Sequence, residues 1–316
     1  MDDRLHNIVE ERKDKIIIEL EASRGNIPAI SVIGRSLAEA WENSLIALYY
    51  YGCDIRTQYD KRDSKGNFID PPSKDCSMRM IIDDPSSEPL IHRAFPGGLE
   101  DLEEYRQEVL EGIKDHWIRD RSDPEDTRWE YTYHERLFNY RVPGIEGSIN
   151  QINKVVEELA RSPHSRRSQA ITWKVWEDLG IEDPACLQSI WFRILPDEEG
   201  VGYLNMNIRF RSRDAYDAAF MNCFALIHLQ EMVAREVGAK SGEEIRLGRY
   251  IDESDSYHIY GRRLPDFQDR FLQQLFTRSF EQRTWSREFA RPIFEEAKGK
   301  IAEKIAQQDR EMKVRK

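Results

Sequence analysis

The sequence predicts a mixed α/β (α+β) protein, a mixed β-sheet with helices packed on it. Two observations carry this expectation. Apolar residues recur with a period near 3.6 in some stretches and a period of two in others. The strand-like stretches are also spread along the chain without strict alternation of strand and helix, which a doubly wound parallel sheet would require. No internal repeat or low-complexity linker interrupts the 316 residues. That length carries a prior of about two domains, although single domains of this size occur.

Taken in order, "SLAEAWENSLIALYYYG" places Leu37, Trp41, Leu45 and Leu48 on one helical stripe, with Gly52 as the C′ glycine that ends it. The polar run from Cys53 to Asp75 holds a glycine and two prolines and reads as a long loop. "CSMRMIID" follows as a short alternating strand. "GGLEDLEEYRQEVLEGIKDHWI" reads as a helix with Leu102, Tyr105, Val109 and Ile113 inward. After the charged loop "RDRSDPEDTRWE", the aromatic stretch "YTYHERLFNYRV" reads as a strand. A helix with Ile149, Ile152, Val156 and Leu159 on one face stops at Pro163, and Arg166 and Arg167 come just beyond the stop. "QAITWKVW", "LQSIWFRIL" and "YLNMNIRFR" are strands, and "DAYDAAFMNCFALIHLQEMVAREVG" is the longest apolar helix. "DSYHIYG" is a further strand. The last fifty or so residues form a charged helical extension, broken at Pro292 and closing on "MKVRK".

Fifty-eight acidic residues against 47 basic ones give a net charge of −11. That balance argues against a general grip on a nucleic-acid backbone, which needs clustered Lys and Arg. A small phosphorylated ligand needs only a few local arginines. The four cysteines (Cys53, Cys76, Cys186, Cys223) form no CxxC pair, so neither a zinc knuckle nor a disulfide framework is expected, and no metal site is. HExxH, GxSxG, P-loop and GxGxxG motifs are absent. "KDKIIIEL" is too short to span a membrane, and the acidic, mixed N-terminus is unlike a targeting peptide. A cytoplasmic location without membrane partners is the expectation.

In "YLNMNIRFR", Leu204, Met206, Ile208 and Phe210 point one way, and Asn205, Asn207, Arg209 and Arg211 the other. A half-exposed strand with a solvated face would look the same. The next turn, "RSRD", puts Arg211, Ser212 and Asp214 where a helix is expected to begin, and a guanidinium fork, a hydroxyl and helix-terminal amides suit a phosphate. On the helix that follows, Ala215, Ala218, Ala219, Asn222, Leu226, Leu229 and Val233 share one face, so Asn222 sits inside an apolar stripe. A buried amide needs specific partners. They are either nearby backbone groups or a ligand edge with adjacent donor and acceptor, as uracil has. Cys186, in "DPACLQSIWF", stands at the mouth of an apolar strand, where it is either inert core or a nucleophile whose thiolate nearby arginines would favour. His258 and Tyr260 alternate on one strand face, as satisfied core groups or as a pair holding sugar hydroxyls.

A cysteine, paired arginines on a loop after a helix, "RS-x-D" leading to a buried Asn, and "HIY" occur here in the order found in one family. The chain resembles thymidylate synthase and its nucleotide-hydroxymethylase relatives, most clearly from about Ile149 to Gly261. "AWENSLIALYYYGCDIRTQYD" is similar to that family's first helix and arginine loop, and "HRAFPGGLEDLEEYRQEV" and "YTYHERLFNY" look like a divergent, largely prokaryotic branch. The resemblance implies a single thymidylate-synthase-like domain over residues 1–316 and a homodimer whose sheets pack back to back, with shared active sites. It implies that Cys186 adds to C6 of a pyrimidine nucleoside 5′-monophosphate, and that the C5 carbon so activated attacks the one-carbon unit of 5,10-methylenetetrahydrofolate or a modified pterin. Arg211 and Ser212 would hold the 5′-phosphate, Arg166 and Arg167 would reach across from the partner subunit, and Arg56 would close over it. Asn222 and Asp214 would serve the base, His258 and Tyr260 the sugar, with Glu108 as the general acid/base and Tyr133 as the pocket tyrosine.

Several residues depart from the family's pattern. Leu187 replaces the histidine that commonly follows the nucleophile, and Phe210 stands where a glutamine usually precedes "RS". Asp217 and Phe220 are expected to change the pocket wall near the folate. A charged helix replaces the short apolar tail that seals the site, and an unsealed site admits water. Methylation of dUMP, favoured by Asn222, thus stands beside 5-hydroxymethylation of dUMP, dCMP or CMP. A non-catalytic nucleotide- or RNA-binding relative is a third reading, which the retention of Cys186 opposes.

Overall fold

The computed structural model describes residues 3–123 and 125–314. The chain opens with α1 (Asp3–Glu11), the hairpin β1 (Ile16–Leu20) and β2 (Ala29–Gly34), α2 (Leu37–Tyr51), β3 (Cys53–Ile55), β4 (Ser73–Ile82) and β5 (Ile91–His92). Then come α3 (Leu99–Glu111), α4 (Tyr133–Phe138), α5 (Gln151–Arg161), β6 (Gln169–Ile171), α6 (Val175–Asp178) and β7 (Leu187–Pro196). The remainder is β8 (Gly202–Phe210), β9 (Arg213–Asp214), α7 (Ala219–Ser241), β10 (Ile245–Ile259), α8 (Leu264–Asp266), α9 (Gln273–Thr277), β11 (Thr284–Trp285) and α10 (Arg287–Val314). Strand order is β1-β2-β4-β10-β8-β7-β6, with β3 beside β4 and β9 beside β10. The sheet is mixed, since β2 runs parallel to β4 whereas β1–β2 and β4–β10 are antiparallel. Among the described residues no helix is long and apolar enough to cross a membrane.

The chain divides into two compact units, Met1–Pro96 with Asn207–Phe220 and Gly248–Arg287, and Gly97–Met206 with Met221–Leu247 and Glu288–Lys316. In the first unit, Ser36 caps α2 and Trp41 sits at its buried centre. The indole donates to the Ala215 carbonyl at 2.9 Å, and its ring meets His92, Phe220 and Phe271 edge-on. Beside it lies the buried carboxylate of Glu42, which accepts from Arg12, from His92 Nε2 and from both prongs of Arg283, each at 2.7–2.8 Å. Burial alone would push Glu42 up, but His92 and Arg283 hold its carboxyl well below the usual range. In the second unit, α7 buries Cys223, Phe224, Leu229 and Val233, and Gln230 donates to the Leu204 carbonyl at 2.7 Å.

The local departures from expectation have physical causes. "YTYHERLFNYRV" holds α4 rather than a strand, because Thr132 caps the Glu135 N–H at 3.0 Å. "QAITWKVW" is strand only to Ile171 and then turns into α6. Ile149 precedes α5 and bridges Tyr140, and Ile113 lies past the end of α3. Gly52 ends α2 with φ −62, so it is not a left-handed cap. A Cβ there would lie 2.3 Å from the Leu48 carbonyl oxygen, so the glycine answers a close approach. Pro292 does not break the last helix, since α10 runs through it. Arg315 and Lys316, the end of the basic tail, lie outside the described residues.

Candidate active site

In the second unit Cys186 sits just before β7, half-buried, with Leu187 after it fully buried and anchoring the strand. This sets it apart from Cys76 and Cys223, which are core residues; burial pushes the Cys76 thiol far up. The backbone N–H of Leu187 donates to the Tyr133 hydroxyl at 3.3 Å, so this tyrosine meets the strand that follows Cys186. The Tyr133 ring lies 5.5 Å from that of Tyr131. Burial, then Tyr133 and Cys186, push Tyr131 well above the ordinary phenol range. The Tyr131 ring faces Arg136 at 5.5 Å, the fully buried guanidinium of α4, which grips Asp178 with two bonds of 2.8 and 2.9 Å and donates to the Thr172 carbonyl.

Glu108 lies on α3, largely buried, with the Lys114 ammonium at 2.9 Å. Burial pushes its carboxyl up and Lys114 opposes, leaving it raised, so it can exchange a proton nearer neutral pH than an exposed glutamate. Lys114 is shared with Glu104 at 2.8 Å and faces the rings of Trp117 and Trp129. Lys304 of α10 reaches the same Glu104 at 2.6 Å, Lys300 reaches Glu100 at 3.1 Å, and Ala297, Ile301 and Ile305 pack with Trp117. The C-terminal helix therefore braces the helix that carries the candidate acid/base.

Asn222 is 9% exposed, and its amide nitrogen donates to the Tyr105 hydroxyl of α3 at 2.6 Å. Ala215 and Ala218 are not on its helix, which starts only at Ala219. Asp214 accepts from the N–H groups of Tyr216 and Asp217 at 3.0 and 2.8 Å and so holds a turn ahead of the helix. Arg166 and Arg167 are exposed, and Arg167 is paired with Glu158 at 2.7 Å.

In the first unit, Arg211 and Ser212 do not stand at a helix N-terminus as expected, because the chain first forms β9 beside β10. The turn is pinned instead by Arg213, buried under the Phe210 ring, ion-paired with Asp252 and bonded to the Ala219 carbonyl. Burial raises Asp214 to about 6. His258 pairs in register with Asp214 on one side and Asp75 on the other, and its ring meets Tyr260 at 4.6 Å. The loop carrying Arg56 is ordered by cation–π contact of Arg56 and Arg62 with Phe68, and its Tyr59 meets Tyr260 edge-on. Gly261 follows because a Cβ would collide with the Pro71 carbonyl. Phe220 is not a pocket-wall residue: it is buried between Trp41 and Phe95, and Asp217 is ion-paired with Arg263. Among the described residues no cluster of His, Cys, Asp or Glu could hold a metal ion.

A family model described as thymidylate synthase matches residues 99–284, more than half of the chain. The chain belongs to the thymidylate synthase family. A protein of Methanocaldococcus jannaschii named "Putative thymidylate synthase" is 32% identical over 76% of this chain and 94% of its own length. A protein of the same name from Methanosarcina barkeri is 30% identical over 72% and 88%. The thermostable thymidylate synthase A of Bacillus subtilis shares the fold, with a TM-score of 0.55 at 18% identity over 75% of this chain and 84% of that one. Family membership makes this protein an enzyme of one-carbon transfer. Tyr131 and Lys114 carry no sequence signal of their own, and Tyr105 reads in the sequence only as an inward helix residue, not as a partner of Asn222.

Proposed function

We propose that this enzyme methylates dUMP to dTMP in the cytoplasm, working as one catalytic domain in a homodimer with shared sites. The observation that supports uracil is Asn222, a buried amide whose partner Tyr105 takes one donor and leaves the acceptor oxygen and second N–H for a base edge. In this reading the Cys186 sulfur bonds to C6 and the C5=C6 electron pair moves onto C5 and O4. C5 would then take the carbon that a bound folate supplies, the carrier releasing its own bond to that carbon; Glu108 would receive the C5 proton, and the S–C6 bond would break, returning the thiolate and the C5=C6 double bond. Glu108 moves protons at O4 and C5. Arg56, Arg211 and Ser212 take the phosphate, Asp214 serves the base edge, and His258 and Tyr260 the sugar. The residues fit a reduced folate: Trp129, 41% exposed, offers a flat apolar surface beside the Lys114–Glu108 pair. When bound, methylenetetrahydrofolate or a modified pterin supplies the carbon and, for a methyl product, the hydride that reduces it.

Incubation with dUMP, UMP, dCMP and CMP and methylenetetrahydrofolate, read by mass spectrometry, tests this reading. The expected product is the methyl derivative of dUMP; an additional oxygen marks hydroxymethylation. Asn222→Asp should shift the kcat/KM ratio from dUMP toward dCMP by about 1–3 kcal/mol, because a carboxyl can accept from the cytosine amino group. An unmoved ratio would remove Asn222 as the reader of the base.

Arg166→Ala tests the shared site. Alone it should lose activity, and mixed with Cys186→Ala subunits it should regain part through heterodimers having one intact site. Absence of recovery after confirmed subunit exchange counts against sharing.

A further inference from the structure

β4 and β10 pair antiparallel with His258 opposite Asp75, and the register shifts between Ser254 and Tyr257, at the segment holding Ser256. Ser256 Oγ donates to Asp75 Oδ2 at 2.8 Å and lies 3.2 Å from His258 Nδ1. A serine hydroxyl has one hydrogen, and Asp75 takes it, so the Ser256 oxygen can only accept from the ring. The ring proton then resides on Nδ1. Burial pushes His258 down to about 4, so the ring is neutral and carries no second proton. His258 is 6% exposed, and its Nε2 makes no hydrogen bond among the described residues. Leaving a buried acceptor without a donor is costly.

We propose that Asp75 and Ser256 are positioning residues that fix His258 in the tautomer with a bare, accepting Nε2, so that this site selects a ligand hydroxyl able to donate. The hydroxyl is assigned to the nucleotide sugar only on the functional reading above. The relay explains why a serine and an aspartate, neither of which need touch substrate, stand behind the histidine. It also predicts rejection of a sugar that lacks the donor, since a site built around one hydrogen bond discriminates strongly against its loss.

The test uses the full chain labelled with 15N-histidine, without nucleotide, in buffer well alkaline of the Asp75 value of about 6. His258 is assigned by loss of its signals in His258→Gln. The expected spectrum shows a protonated Nδ1 and an unprotonated Nε2; a protonated Nε2 overturns the proposal. Ser256→Ala should produce a mixed tautomer population and Ser256→Thr, which keeps the hydroxyl, should not. An unchanged tautomer in the alanine variant overturns the positioning role. In turnover, the preference for dUMP over its 3′-deoxy analogue should fall at least about fivefold in Ser256→Ala and recover in Ser256→Thr. An unchanged preference overturns the link to hydroxyl selection. If no nucleotide turns over, the functional reading fails while the nitrogen spectra still decide the tautomer.

Discussion

Replacing Cys186 by alanine is expected to abolish turnover while nucleotide affinity stays within about tenfold of the parent enzyme. On the proposed mechanism the sulfur acts after binding, by forming a bond that no other side chain at the start of β7 can supply. Its surroundings are arranged for access: the residue after it is locked in the sheet, the thiol is half-buried, and Tyr133 meets the strand that follows it. Alanine removes the nucleophile without disturbing the Leu187 anchor, so folding should be retained. Tritium release from C5 of the nucleotide measures turnover, and calorimetry measures affinity. Near-normal tritium release by the alanine variant would end the covalent reading.

Glu108→Gln is expected to lower kcat by about 10²–10⁴, with nucleotide affinity little changed. Glutamine keeps the shape and can still accept from Lys114, so α3 and its brace from α10 remain in place. What it loses is an exchangeable proton. Burial holds the Glu108 carboxyl above its ordinary value against the pull of Lys114, which suits a group that must both give and take a proton during one turnover. Steady-state rates with a thermal unfolding control check this. A fall of less than about tenfold would demote Glu108 to a structural partner of Lys114.

The sequence made the long periodic elements legible. β7 and β8 read directly from their alternation, and α2, α3 and α7 from a recurring helical period of apolar residues, even though α2 and the first half of α7 are buried on almost every side. The misreadings occur where a side chain, rather than a period, sets the backbone. In "TYHE" the Thr132 hydroxyl caps the Glu135 N–H, a helix-start signature that outweighed the strand-like aromatics around it. Ala215 and Ala218 fit the spacing of α7, but the Asp214 carboxylate captures the next two useful N–H groups and delays the helix to Ala219. The chemistry-bearing types at the site were visible as types. Their supports were not: Tyr105 on Asn222 and Asp75 behind His258 are pairings between residues distant in sequence or across strands, and Lys114 reaches Glu108 only because the chain turns past the end of α3, a spacing no helical period encodes.

The Glu42 cluster has a consequence for the order in which this chain can mature on the ribosome. Its partners Arg12, His92 and Arg283 are strung over most of the polypeptide, and the doubly bonded guanidinium is the last to be synthesised. Until Arg283 emerges, the nascent first unit would have to bury a carboxylate short of its strongest partner, and breaking such a buried pair costs about 3–5 kcal/mol. That unit is also assembled from three separated segments, the last ending at Arg287. Its completion therefore waits until Arg283 and the segment ending at Arg287 have been made, and fragments stopping short of Arg283 should be clients of chaperones and proteases, however many earlier strands they contain.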